Sequence, residues 1–406
     1  MSNSSYYDDP PDLIAKSLVD SSRSKNSACP NQLCHLAVLE DSGEDDKQQI
    51  VQALIDNQRT LEYVGLIEAD RGPSWSSVFR SLHLSNLHTL VCDGIEFEIN
   101  ALIAMLNQCP ALDTLELTLY YQPATLELST LASLATLTRL RSLLLSGFTF
   151  ANELCVTTML ERFPALEKLC VYYAEFPLNR DAANLMRNSR LSHLELCMIR
   201  LSDEAQVIAL SEFFSLVVCK PGLVTLRLLQ MPQTTKRMLN GIPGVPTLRH
   251  LDIDLADVQW EAEQEVGLVS FVKGLQAGSI IQNLTFRGLD YYASLDDGAV
   301  IDALSELPFL NELALQTPNV MTAAKDSLQE DLDLAGNILS LLCKSKSLNR
   351  VVLYKASTLS KFPQKPTIDQ VLVQNEVSEQ YSVTDGDHKT NRVDGAILTS
   401  LTIARA

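Results

Sequence analysis

The feature that most limits what this chain can become is a six-residue apolar pattern, L-x-x-L-x-L with apolar substitutes, that returns along most of its length. It is plainest as Leu112, Leu115 and Leu117 in LDTLEL and as Leu140, Leu143 and Leu145 in LRSLLL. Marked by their first apolar residue, eleven copies start at Leu61, Leu87, Leu112, Leu140, Leu166, Leu191, Leu223, Leu248, Ile281, Leu310 and Leu348. The gaps between them are 26, 25, 28, 26, 25, 32, 25, 33, 29 and 38 residues, so the early copies are regular and the later ones carry insertions. Leucine supplies 69 of the 406 residues, the excess expected when one apolar unit is used again and again.

Between copies the apolar spacing changes to about 3.6, as in Ile103, Leu106 and Cys109, or Met159, Leu160 and Phe163, which marks a helix. Cys109-Pro110, Phe163-Pro164 and Leu307-Pro308 then stop these helices just before the next copy, because proline cannot continue the hydrogen-bond ladder. Each period therefore reads strand, loop, helix, loop. One strand and one helix cannot bury their apolar faces alone, but stacked side by side they enclose a continuous core between parallel strands and a helix layer. The predicted fold is α/β, a curved solenoid with a parallel concave sheet and outer helices.

These residues resemble the leucine-rich-repeat family, and the 25 to 28 residue units with full helices are most similar to the ribonuclease-inhibitor type and to the repeat regions of F-box proteins. The resemblance covers residues 48–360 and implies a horseshoe. It departs from the family three residues after the third apolar position. There the usual Asn or Cys is replaced by Tyr120, Phe148, Ala174, Ile199 and Met231, so the turns between repeats are expected to be held by packing.

The ends differ from the middle. Residues 1–47 are rich in Ser, Asp and Asn and read as a polar arm and N-terminal cap, with Leu33, Leu36 and Val38 as a degenerate first strand. Residues 361–406 read as a C-terminal cap of strands: Ile368, Val371 and Val373, then Leu398, Leu401 and Ile403, repeat the apolar spacing around a polar run, Glu376 to Arg392.

Composition narrows the function. With 32 basic and 50 acidic residues the formal charge is −18, and no dense basic patch interrupts it, so neither nucleic acid nor anionic lipid is an expected partner. The first twelve residues are polar and acidic, and no run of apolar residues is long enough to span a bilayer, so neither a signal peptide nor a membrane segment is expected. Nine cysteines without a C-x-x-C pair read as reduced thiols packed like small apolar groups, which fits a cytoplasmic or nuclear setting.

Signatures of catalysis are missing from the sequence. It contains no Gly-Lys dipeptide, no G-x-G-x-x-G, no G-x-S-x-G and no H-E-x-x-H. Asp331, Asp333 and Gly336 imitate half of a calcium loop, but Ala335 and Leu342 occupy ligand positions, which favours a helix face. His193 and His250 share a column two strands apart, about 10 Å between backbones, too far for one zinc ion. Cys170 and Cys197 project on the same side, and a thiol beside His193 could form a nucleophile pair, although nothing supplies an oxyanion hole. Neither terminal segment is large enough for the catalytic domain that bacterial leucine-rich-repeat ubiquitin ligases carry. The stretch DLIAKSLVD, Asp12 to Asp20, has only a faint F-box rhythm. No enzyme activity, cofactor or metal is expected.

Side chains alternate along a strand, so the residues flanking the second apolar position point away from the helices. That parity nominates Glu116, Lys168, Tyr172, His193, Glu195, Arg227, His250 and Asp252 as a partner-binding face, since Tyr and Arg are frequent interface anchors. The insertions after Leu248 and Leu310, with Trp260, Glu261, Glu263 and Glu265 and then Asn319 to Glu330, are a second candidate. The expected function is a non-catalytic interaction scaffold for a protein partner, its oligomeric state open. A ubiquitin-ligase substrate receptor or an exported effector is the alternative.

Overall fold

The computed structural model describes residues 33–40, 44–68, 74–119, 124–177, 180–199, 208, 212, 222–230, 242, 245–255, 267–278, 280–289, 291–316, 328–355, 369, 371, 380–390 and 397–405. The fold is α/β with mostly parallel strands. Its residues form two compact units, Asp12–Leu194 with Met198–Val217, and Glu195–Cys197 with Val218–Ala406.

In the N-terminal unit the strands are β1 (His35–Glu40), β2 (Tyr63–Glu68), β3 (Thr89–Asp93), β4 (Thr114–Thr118), β5 (Ala124–Leu126), β6 (Ser142–Ser146), β7 (Phe148–Phe150) and β8 (Lys168–Tyr172). β1, β2, β3, β4, β6 and β8 follow one another in a parallel sheet, and β5 pairs with β7 in a separate ribbon. β9 (His193–Cys197) lies across the division, His193 and Leu194 belonging to this unit. Helices Glu44–Asn57, Ser76–Ser81, Ile99–Leu106, Leu128–Ala132, Glu153–Arg162 and Arg180–Asn188 connect the strands.

The C-terminal unit continues with β10 (Thr225–Leu229), β11 (His250–Asp254), β12 (Asn283–Arg287), β13 (Glu312–Gln316) and β14 (Arg350–Lys355), parallel in that order. β15 (Tyr381–Thr390) and β16 (Ile397–Arg405) end it as an antiparallel pair, β16 against β14. Its described helices include Leu268–Gly278, Gly298–Ser305 and Leu328–Lys344, and the last contains Asp331, Asp333 and Gly336.

The apolar period sets the register. Each strand from β2 to β14 in the eleven copies opens two residues after the first apolar residue of its copy, Tyr63 after Leu61 and Arg350 after Leu348. The pairings repeat the sequence gaps: Thr89 faces Thr114, Thr114 faces Ser142, His250 faces Asn283 and Glu312 faces Arg350. The same offset holds for Leu33 and β1, so the degenerate first copy is a full parallel strand. Helix Glu44–Asn57 runs across residue 47, where sequence suggested the repeats begin.

Apolar residues of the period fill the core. Leu115, Leu143, Leu169, Leu226, Leu251, Leu284 and Leu313 are all buried. Burying each such side chain contributes about 1.5–3 kcal/mol. Cys92, Cys109, Cys155, Cys170 and Cys197 are buried among them. Burial keeps Cys92 and Cys109 as neutral thiols and pushes the latter up to about 12.

Helix ends follow local chemistry. Asn152 caps Glu153–Arg162 by accepting a 3.2 Å hydrogen bond from the Cys155 N–H, and the helix stops before Phe163-Pro164. Past several strands the chain turns left-handed, at Gly94, Gly147 and Gly288 but also at Tyr173, Met198 and Gln230. Gly147 is required, because a Cβ there would lie 2.3 Å from the Leu119 carbonyl oxygen. Packing does hold these turns, with Ile95, Phe148, Ala174, Ile199 and Leu289 buried just beyond them. Backbone hydrogen bonds add to it, Gly94 N–H to Thr118 O at 2.9 Å and Gly147 N–H to Tyr172 O at 3.0 Å.

The C-terminal segment differs in detail from its sequence reading. Asp369 and Val371 are helical, whereas Leu398, Leu401 and Ile403 lie in β16. The polar run Glu376 to Arg392 contains β15, whose Tyr381 and Val383 are buried and whose backbone partners come from β16. Ile368 and Val373 lie outside the described residues.

Candidate functional site

Alternation puts the nominated residues on the sheet face. β4 reads half-buried, buried, half-buried, buried, half-buried from Thr114 to Thr118, with Glu116 at its centre. In the N-terminal unit, Lys168 opens β8 exposed, Tyr172 closes it half-buried, and His193 opens β9 half-buried. In the C-terminal unit, Arg227 is central on β10, and on β11 His250 is exposed while Asp252 is central.

Three of these residues meet. Arg227 Nη1 lies 2.8 Å from Glu195 Oε1, and Arg227 Nε donates to Asp252 Oδ2 at 3.1 Å. Arg287, which sequence reasoning missed, forks onto Asp252, Nε to Oδ1 at 2.7 Å and Nη2 to Oδ2 at 2.9 Å. Its Nη1 then donates to Gln316 Oε1 at 3.0 Å. The result is a row of alternating charge, Glu195, Arg227, Asp252, Arg287, ended by an amide.

Parity predicts solvent for these positions, but the side chains of Glu195, Asp252, Arg287 and Arg227 are 3, 13, 15 and 30 % exposed. Carboxylates so far out of water are tolerated because each meets a guanidinium, and the Arg287 fork holds both Asp252 oxygens at once. Tyr354, on β14, borders the row. Burial pushes its hydroxyl above the usual value of 10, Glu312 adds to the rise, and Arg350 and Arg287 oppose it. Glu312 in turn pairs with Arg350 at 3.2 Å. Reading the copies from Ile281 onward with the same parity would have placed Arg287, Gln316 and Tyr354 on this face.

The N-terminal unit carries a different face. Tyr63 lies across Gly65 and stacks on His35 at 6.0 Å. Burial raises its hydroxyl, with Glu116 second. Charged side chains pair just ahead of the strands instead, His88 Nδ1 with Asp113 Oδ2 at 2.9 Å and Arg139 Nε with Asp113 Oδ1 at 3.6 Å. Cys170 Sγ and a His193 ring nitrogen lie within 4.8 Å, but the thiol is buried.

Chemically, the C-terminal row is a set of mutually paired charges. Its side chains are already ordered by one another, so a ligand meeting them loses little rotamer freedom on binding. Trp260, Glu261, Glu263 and Glu265, the Asp12 to Asp20 stretch, Tyr120, Met231 and residues 319–327 lie outside the described residues. Among the described residues, no helix is long and apolar enough to cross a membrane.

No protein-family model matches the chain, and no curated protein matches it. Among solved structures it is similar to a chain in the crystal structure of the Rad7 and Elc1 complex in yeast. Identity is 14 %, the TM-score is 0.40, and the match covers 79 % of this chain and 87 % of that one.

Proposed function

We propose that this chain is a non-catalytic leucine-rich-repeat protein, a horseshoe solenoid of the cytoplasm or nucleus that holds a protein partner on its concave sheet face. The observation that carries this reading is the ordered row Glu195, Arg227, Asp252 and Arg287, a polar strip fixed by its own ion pairs on a sheet face. The repeated register supports it, since one parallel ladder presents face residues in straight columns. An excess of acidic residues favours a protein over nucleic acid or anionic lipid.

The test places a photo-crosslinking amino acid at Lys168, at His250 or at Glu161, all exposed, Glu161 being on helix Glu153–Arg162. Cross-linked peptides are identified by mass spectrometry in the source cell. The two face positions are expected to capture one common partner and Glu161 to miss it. Capture from Glu161 alone, or none from the face, would remove the proposal.

A further inference from the structure

Three successive strand-to-helix connections of the N-terminal unit form a small surface of their own. β5 and β7 pair in parallel, Ala124 with Phe148 and Leu126 with Phe150, and Thr149 bridges to Glu175. The bonds Phe150 N–H to Glu175 O at 3.0 Å and Ala151 N–H to Leu126 O at 3.1 Å tie the three together. Leu126, Phe150 and Phe176 turn inward, the last two edge to face at 5.1 Å. Two strand spacings separate the outer connections, so the strip is about 10 Å across.

Its outer side is apolar and acidic. Leu128, Leu154 and Tyr173 are 41, 56 and 39 % exposed, half of the six large apolar side chains most exposed among the described residues. The other three, Ile55, Ile208 and Phe309, are scattered along the chain. Glu127, Glu153 and Glu175 are exposed beside them, and residues 124–128, 148–154 and 173–177 contain no Lys or Arg.

Tyr173 adds an independent observation. It holds φ +50°, at the turn position where Gly94, Gly147 and Gly288 stand in other copies. A side chain in the left-handed region costs about 1–2 kcal/mol.

We propose that this rim docks a basic segment of a partner protein, in which Lys or Arg alternates with large apolar residues. Leu128 and Leu154 receive the apolar side chains, the three glutamates pair with the cations, and the Tyr173 ring accepts one of them on its face. The chain's −18 charge steers such a segment toward it. This surface is separate from the sheet-face row and does not depend on it.

The probe is a fluorescein-labelled peptide alternating Arg and Leu, followed by anisotropy on the full chain. Two triple variants, Leu128→Ser/Leu154→Ser/Tyr173→Gly and Glu127→Gln/Glu153→Gln/Glu175→Gln, are each expected to weaken binding about tenfold or more, as one lost pair of contacts would. Glu62→Gln/Glu96→Gln/Glu161→Gln changes net charge equally at other exposed glutamates and is expected to leave binding within about threefold. Equal losses in the two glutamine variants, or no loss in the apolar one, would reduce the effect to general charge attraction and overturn the proposal. Absence of saturable binding by the wild type would do the same. Thermal melts check folding, and Leu154→Ser alone replaces the triple variant should that melt early.

Discussion

The two units are built from the same repeating strand and one kind of core, yet they use charge in opposite ways. In the N-terminal unit Asp113 meets His88 and Arg139 ahead of the strands, with side chains 34 to 55 % exposed. In the C-terminal unit Asp252 meets Arg227 and Arg287 on the sheet face, largely out of water. Asp252 is held at 2.7 to 3.1 Å and Asp113 at 2.9 and 3.6 Å, so closer geometry and drier surroundings together set what an ion pair is worth. Exposed pairs contribute about 0–1 kcal/mol, whereas losing one member of a buried set leaves a charge that water can no longer stabilise.

That contrast is breakable. Asp252→Ala leaves two guanidiniums without their shared carboxylate and is expected to cost about 3–5 kcal/mol in urea denaturation. Asp113→Ala is expected to cost less than about 1 kcal/mol. Equal shifts in the two variants would mean that the row is as well solvated as the pairs ahead of the strands.

The turns sharpen the comparison with a smaller effect. Gly147→Ala, in the N-terminal unit, meets the Leu119 carbonyl and a left-handed backbone together, and should cost about 2 kcal/mol or more. Gln230→Gly, in the C-terminal unit, keeps the N–H bond to Asp254 Oδ2 and relieves φ +46°. Glycine's extra chain entropy offsets part of that relief, so the gain is at most about 1 kcal/mol in the same assay. A destabilised Gln230→Gly would show that the glutamine side chain, not the turn, holds that position.

The smallest effect separates the two face tyrosines. Tyr63 and Tyr354 both ionise above the usual value in the folded protein. A raised folded-state pKa means that the stabilisation is complete below pH 10 and is lost as pH rises through the folded value. Thermal stability should therefore fall above pH 10, less steeply in Tyr63→Phe or Tyr354→Phe. In ultraviolet titration Glu116→Gln should lower the Tyr63 midpoint and Glu312→Gln that of Tyr354. A Glu312→Gln titration unchanged from wild type would show that burial alone raises Tyr354.

Much of this was legible in advance for a local reason. The apolar period located strands because each copy must bury the same three positions, and Phe163-Pro164 marked a helix end because proline cannot extend one. The strand Tyr381–Thr390 was not legible, since its DGDHKT stretch carries no apolar alternation and its order comes from β16. Glu195, Arg227 and Asp252 were assigned to the face by parity alone. Register sets Arg227 directly against Asp252, but the part of Arg287 was not legible, because it pairs by backbone with Asp254 while its side chain crosses to Asp252.

By itself the sequence determined the register: neighbouring strands pair at offsets equal to the spacing of the apolar residues, since any slip would expose leucine to water. Only the tertiary structure decided which face carboxylates leave solvent, which arginine covers them and which turns bend left-handed without glycine. Those outcomes depend on how far side chains from separate copies extend toward each other, a property that no single copy contains.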